Sequence, residues 1–127
     1  MLRVGIVTFN VSTKTNSHQS LDTIITACKK GERRYQQFLY QRYYSFAMSI
    51  CLRYSNNYQE AVEILNDGFL KVFTKLAMYN PQKSFKGWVR RIMINSAIDH
   101  YRKEQKHSRL NSLDNHDAVS ANPTVIQ

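Results

Sequence analysis

From Leu21 onward, apolar residues return at three- and four-residue steps, the spacing of helices that bury one face. Leu21, Ile24, Ile25 and Cys28 predict a short helix over 20–30. Ser20 suits its N-cap, and Gly31 suits its end. Lys29 and Lys30 complement the negative end of its dipole. A longer helix follows over 32–54, with Tyr35, Phe38, Leu39, Tyr43, Phe46, Ala47, Ile50, Cys51 and Tyr54 in period. Most of its tyrosines lie on that stripe, so they read as rings at the edge of a core rather than as stacking platforms. Ser55-Asn56-Asn57 breaks the pattern. Asn57 with Glu60 three residues on resembles a capping box, and a third helix runs to about Leu76 on Ala61, Leu65, Phe69, Val72, Phe73 and Leu76.

Residues 77–83 form a connector, where Pro81 biases Asn80 away from helix. Ser84 then caps a last helix whose stripe is Phe85, Trp88, Val89, Ile92, Met93 and Ala97. Its other face carries Lys86, Arg90, Arg91, Asn95, Asp99, Arg102 and Lys103, and the pattern fades around Lys106. Spacing sets Asp99 to pair with Arg102 or Lys103. The flanks differ from this core. Residues 1–19 hold a weak strand signal at Val4–Phe9 and a polar stretch from Ser12, and read as a poorly ordered extension. Residues 107–127 read as a polar linker or tail. The expected fold is all-α: one compact bundle of three to four helices over 20–106, with flexible N- and C-terminal extensions.

Composition sharpens this picture. With 43% hydrophobic residues among 127, the chain can bury a core, and four Gly and two Pro leave room for long helices. The net charge of +9 calls for a polyanionic partner, nucleic acid first. Between Lys71 and Arg109 stand ten cations against two acids, Asp99 and Glu104, so nearly the whole excess sits in one block. Glu60, Glu63 and Asp67 gather three of the nine acids on one short ridge, expected to lie away from the basic helix and to meet a protein. Cys28 and Cys51 have apolar neighbours and no CxxC pairing, which fits buried free thiols in a reducing cytoplasm. No apolar run approaches the ~20 residues of a membrane span.

Catalytic chemistry is missing from the sequence. His18, His100, His107 and His116 are scattered, and no cysteine partners them. Asp99 and His100 diverge as helix neighbours. There is no GxxxxGK[ST] or GxGxxG loop. The reading is therefore a non-enzyme, with no cofactor and no metal ligands.

Three blocks of the chain resemble the extracytoplasmic-function (ECF) sigma factors of bacteria. They are GERRYQQFLYQRYY from Gly31, AVEILNDGFLKVF from Ala61 and FKGWVRRIMINSAIDHYR from Phe85. The family's patterns are G-[DE]-x-x-A-[FY]-x-x-L-[FY]-x-x-[YH], A-E-D-L-x-Q-E-x-F-[LI]-K-[VA]-[FW] and F-x-x-W-L-x-R-I-x-x-N-x-x-[IL]-D-x-x-R, and the order and spacing agree over about 20–106. The resemblance implies a region-two domain of the RNA polymerase sigma factor. Such a domain binds the clamp coiled coil of the largest polymerase subunit, melts the minus-ten promoter element and holds its non-template strand. Carried over, Glu60, Glu63, Asn66 and Asp67 become polymerase-facing. Tyr79, Asn80, Lys83, Ser84, Lys86, Arg90, Arg91, Asn95 and Arg102 become DNA-facing, with Tyr79 the candidate to stack on an unstacked base. An anti-sigma factor is a further partner the resemblance allows, and membrane insertion is not expected. Val62, Asn66 and Asp67 depart from the family's acid, Gln and Glu, which shortens reach on the acidic ridge. The second helical domain that reads the minus-thirty-five element is not found within 107–127. The alternative reading is a truncated sigma-like helical interaction module that binds polymerase or a regulator without initiating transcription.

Overall fold

Ser20 opens the first helix as its chemistry predicts: its Oγ accepts the Thr23 N–H at 3.2 Å, and α1 runs Leu21–Lys29. In this computed structural model, which describes residues 20–115, the chain leaves α1 through Gly31 at φ 84°. A side chain at that left-handed angle would be strained. The turn lets the Glu32 N–H reach back to the Ala27 carbonyl at 3.2 Å and aims the chain into α2, Arg33–Arg53. Asn57 then caps α3, Tyr58–Thr74, its Oδ1 accepting the Glu60 N–H at 2.8 Å. Glu60 reciprocates one residue earlier than a standard capping box, accepting the Asn56 N–H at 2.7 Å. A 3-10 turn at Leu76–Met78 and the Asn-Pro connector lead to α4, Phe85–Asn115. Ser84 starts that helix by accepting the Gly87 N–H at 3.0 Å.

The bundle is all-α, as the periodicity predicts. The central helix α3 lies between α2 and α4, α2 also touches α4, and α1 packs on α2. Phe69, Leu39, Ala47, Cys51, Val72, Val89 and Met93 are fully enclosed where the stripes meet. Each large side chain among them contributes roughly 1.5–3 kcal/mol by leaving water. The aromatic residues extend this core, with Tyr40 tilted on Phe69 at a 4.7 Å centroid distance. No helix among the described residues is long and apolar enough to cross a membrane.

One boundary differs from the sequence reading. The last helix does not fade at Lys106 but continues to Asn115. Residues 106–112 are exposed on every side, so no apolar stripe marks their helix. Good helix formers such as Lys106, Arg109 and Leu110 extend a ladder that the packed part has already nucleated. The segments 1–19 and 116–127, with the strand signal and most of the expected tail, lie outside the described residues.

Gly68 decides how closely α3 and α4 approach. A Cβ there would collide with Met93 Sδ and come within 2.8 Å of its Cε, and Met93 is itself fully buried. At Gly87 a Cβ would meet only Ser84, at 3.5 Å. The two glycines should therefore respond oppositely to alanine. Gly68→Ala is expected to lose about 1–3 kcal/mol through overpacking, and Gly87→Ala to gain up to about 1 kcal/mol from helix propensity, both read by urea unfolding.

Cys28 and Cys51 are free and buried. Burial, with the Glu32 carboxylate adding to it, pushes the Cys28 thiol up to about 12, and burial alone does the same for Cys51. Three pH units above an ordinary thiol mean about a thousandfold fewer thiolates at pH 8. Iodoacetamide at that pH should leave both thiols unmodified in the native chain and alkylate both in denaturant, as intact mass will show.

Candidate functional site

Several polar residues meet at the seam between α3 and α4. The two helices run in opposite directions, so the start of α3 meets the middle of α4. There His100 Nε2 lies 3.1 Å from Glu60 Oε2 and 3.7 Å from Glu104 Oε2. Farther along, Lys71 Nζ donates to Ser96 Oγ at 3.1 Å and to Asp99 Oδ2 at 3.2 Å. Ser96 is 2% exposed, so the lysine satisfies a hydroxyl that water does not reach. Beyond it Lys75, Asn95 and Arg102 line an open groove with Ile92 and Ile98.

This arrangement corrects two expectations. The acidic ridge does not face away from the basic helix, because Glu60 at its start touches α4 directly. Glu60, Glu63, Asp67, Lys71 and Lys75 follow one another on a single side of α3, acidic over its first turns and cationic over its last. At 1.5 Å per residue the ends are about 20 Å apart. Nor does Asp99 pair with Arg102 or Lys103; its partner is Lys71 on the neighbouring helix.

The expected polymerase-facing residues divide. Glu63 and Asp67 are exposed, one turn apart, and form no ion pair among the described residues. Asn66 beside them is half-buried. Glu60 is held inward by the Asn56 N–H and His100, its side chain only 17% exposed, so it braces the helix start rather than facing a partner.

The expected DNA-facing residues divide as well. Asn80, Lys83, Ser84, Lys86, Arg90, Arg91, Asn95 and Arg102 are all exposed along the connector and α4. Asn80 Oδ1 accepts the Gln82 N–H at 2.9 Å and Ser84 is spent on its cap, so both shape the backbone. Lys86 lays its ammonium 4.8 Å from the Phe46 ring centroid, a cation–π contact that anchors it to α2. Arg90 and Arg91 form no ion pair among the described residues. Lys71 and Lys75 join Asn95 and Arg102 in the groove, an addition that their four-residue spacing on α3 could have signalled.

Tyr79 is the clearest correction. The stacking role needs an open ring face, yet Tyr79 is 8% exposed. Its ring meets Phe85 edge-on at 5.1 Å and Trp88 at 5.3 Å, and Tyr43 of α2 closes the cluster against Phe85. The Tyr79 hydroxyl donates to the Lys83 carbonyl at 2.5 Å, fastening the connector's far end to its near end. A large apolar side chain that the connector does expose is Met78, at 75%.

Four helices, exposed cations from Lys83 along α4, and an exposed carboxylate pair on α3 describe a small all-helical domain. The sequence places that domain among known proteins. The model of sigma-70 region 2 matches residues 39–107, more than half of the chain, and the chain belongs to that family. It is also similar to the RNA polymerase sigma-H factor of Pseudomonas aeruginosa, 25% identical over 77 residues that cover 61% of this chain and 40% of that one. The chain thus spans well under half the length of this relative. No solved structure matches.

The Tyr79 hydroxyl and ring should be separable. Tyr79→Phe is expected to cost about 1 kcal/mol through the lost hydrogen bond, and Tyr79→Ala about 3–5 kcal/mol through the cavity in the aromatic cluster. Urea unfolding followed by Trp88 fluorescence will measure both.

Proposed function

We propose that this chain acts as the promoter-recognition domain of an ECF-type sigma factor. It joins core RNA polymerase through Glu63, Asn66 and Asp67. It holds the non-template strand of the minus-ten element along Lys83, Lys86, Arg90, Arg91, Asn95 and Arg102. The observation that carries this reading is the separation of charge: an exposed carboxylate pair in the first half and middle of α3 with no ion pair among the described residues, and exposed cations on the connector and α4. Free carboxylates repel DNA and suit a basic protein surface. Exposed arginines on one rigid helix suit a string of phosphates, and each phosphate neutralised releases counterions.

Helix α4 supports the strand contact mechanically. Its apolar stripe is fixed on α2 and α3, so its cations are presented on a rod rather than a loop. The buried Tyr79 cluster keeps the connector against the start of α4. On this reading Met78, rather than the ring of Tyr79, lies against a displaced base as an apolar wedge. Lys75 adds positive potential beside Arg102. The mechanism uses binding and strand capture alone, with no bond made or broken.

Two charge changes test the reading in a pull-down with bacterial core RNA polymerase and a fluorescent single-stranded DNA titration. Glu63→Lys with Asp67→Lys should lose polymerase binding and leave strand binding intact. Arg90→Ala with Arg91→Ala should weaken strand binding at least tenfold and flatten its log–log salt slope by about 1.4, two phosphates' worth. If neither pair alters either interaction, the assignment of faces is wrong.

A further inference from the structure

We propose that Glu60, His100 and Glu104 form a binding site for one divalent transition-metal ion, and that zinc is the ion the donor set fits best. The three residues offer one imidazole nitrogen and two carboxylate oxygens, all within 4.8 Å of one another. They come from two helices, Glu60 from α3 and His100 and Glu104 one turn apart on α4. The same ring nitrogen, Nε2, faces both carboxylates, at 3.1 Å and 3.7 Å. Zinc bonds of ~2.0–2.2 Å in a tetrahedral set place neighbouring donor atoms about 3.3–3.6 Å apart; the two separations from His100, 3.1 Å and 3.7 Å, bracket that range, and the two carboxylates would close on each other from at most 4.8 Å. Glu104 can supply it, since its side chain is 62% exposed.

A hydrogen bond alone leaves this cluster incompletely satisfied. Nε2 carries at most one N–H, which can point at one carboxylate only. The other carboxylate then stands close by without that hydrogen bond, and Glu63 lines the same open pocket. A dication between the three atoms would engage both carboxylates at once. The second layer of contacts is also built. Glu60 Oε1 is occupied by the Asn56 N–H at 2.7 Å, and the Glu60 backbone N–H is held by Asn57 Oδ1 at 2.8 Å, so Oε2 is aimed at the ring. A nitrogen ligand together with only three protein donors favours zinc over magnesium or calcium, which prefer more numerous oxygen ligands. The remaining coordination position would take water. The ion would pin the start of α3 to the middle of α4, and the site stands independently of the sigma reading.

The test is a calorimetric titration of the full chain with zinc chloride at neutral pH, with magnesium chloride in parallel, and thermal unfolding with and without each ion. The expected result is one zinc bound per chain with a dissociation constant below about 100 µM, a melting point raised by several degrees, and no response to magnesium. His100→Gln should abolish binding. Glu104→Gln, on an exposed side chain that the fold does not need, should weaken it at least tenfold. Replacing His18, His107 and His116 together by Gln should leave it unchanged. Absence of saturable one-to-one binding, binding that survives His100→Gln or Glu104→Gln, binding lost with the other three histidines, or an equal response to magnesium would each overturn the site and leave a hydrogen-bonded pair only.

Discussion

The close approach of α3 and α4 at Gly68 is the constraint on which the rest of the molecule depends. A glycine there lets Met93 lie flat against the α3 backbone. Because the helices touch at this point, residues on either side of it can reach across the seam. On one side Lys71 meets Ser96 and Asp99; on the other Glu60 meets His100. Wider spacing would leave Ser96 buried without its lysine and His100 without its carboxylate, and a buried polar group without a partner costs about 1–3 kcal/mol. The polar seam is thus a consequence of apolar packing, since only a dense interior brings short side chains such as Ser96 within bonding range.

The same geometry sorts charge along an axis. Helix α3 turns from acidic to cationic within its length, and α4 beside it carries exposed cations from its first turn. Lys71 marks the change of sign and neutralises Asp99, an acid that sits among those cations. The Asp99 carboxylate is therefore compensated without drawing on Arg90 or Arg91. A domain too small for separate lobes keeps two surfaces of opposite potential apart by spreading them along a helix, at about 1.5 Å per residue.

Much of the fold was legible because its signals are local. Ser20, Asn57 and Ser84 cap helices through atoms three residues away, and the apolar stripes repeat within a turn. The site was legible only in part. Asp99 is 28 residues from its lysine and Glu60 is 40 from its histidine, so periodicity could not join them. Tyr79 misled for a related reason. An aromatic residue in a connector reads as exposed, but the 3-10 turn before it rolls the ring inward onto Phe85 and Trp88. The final turns of α4 escaped notice because a helix without a buried face leaves no period to read.

The centre of the bundle also carries sulfur. Cys51 Sγ lies 3.9 Å from Met93 Sδ, and neither residue is exposed. Conversion of Met93 to its sulfoxide would add a bulky polar oxygen to a fully buried space, loosening the very contact that sets the helix spacing. Met78, open to solvent on the connector, has no such protection. The two methionines thus form an internal clock. Under peroxide the outer one oxidises at the intrinsic rate and the inner one only as fast as the bundle opens, so the ratio of the two modifications records how often α3 and α4 part.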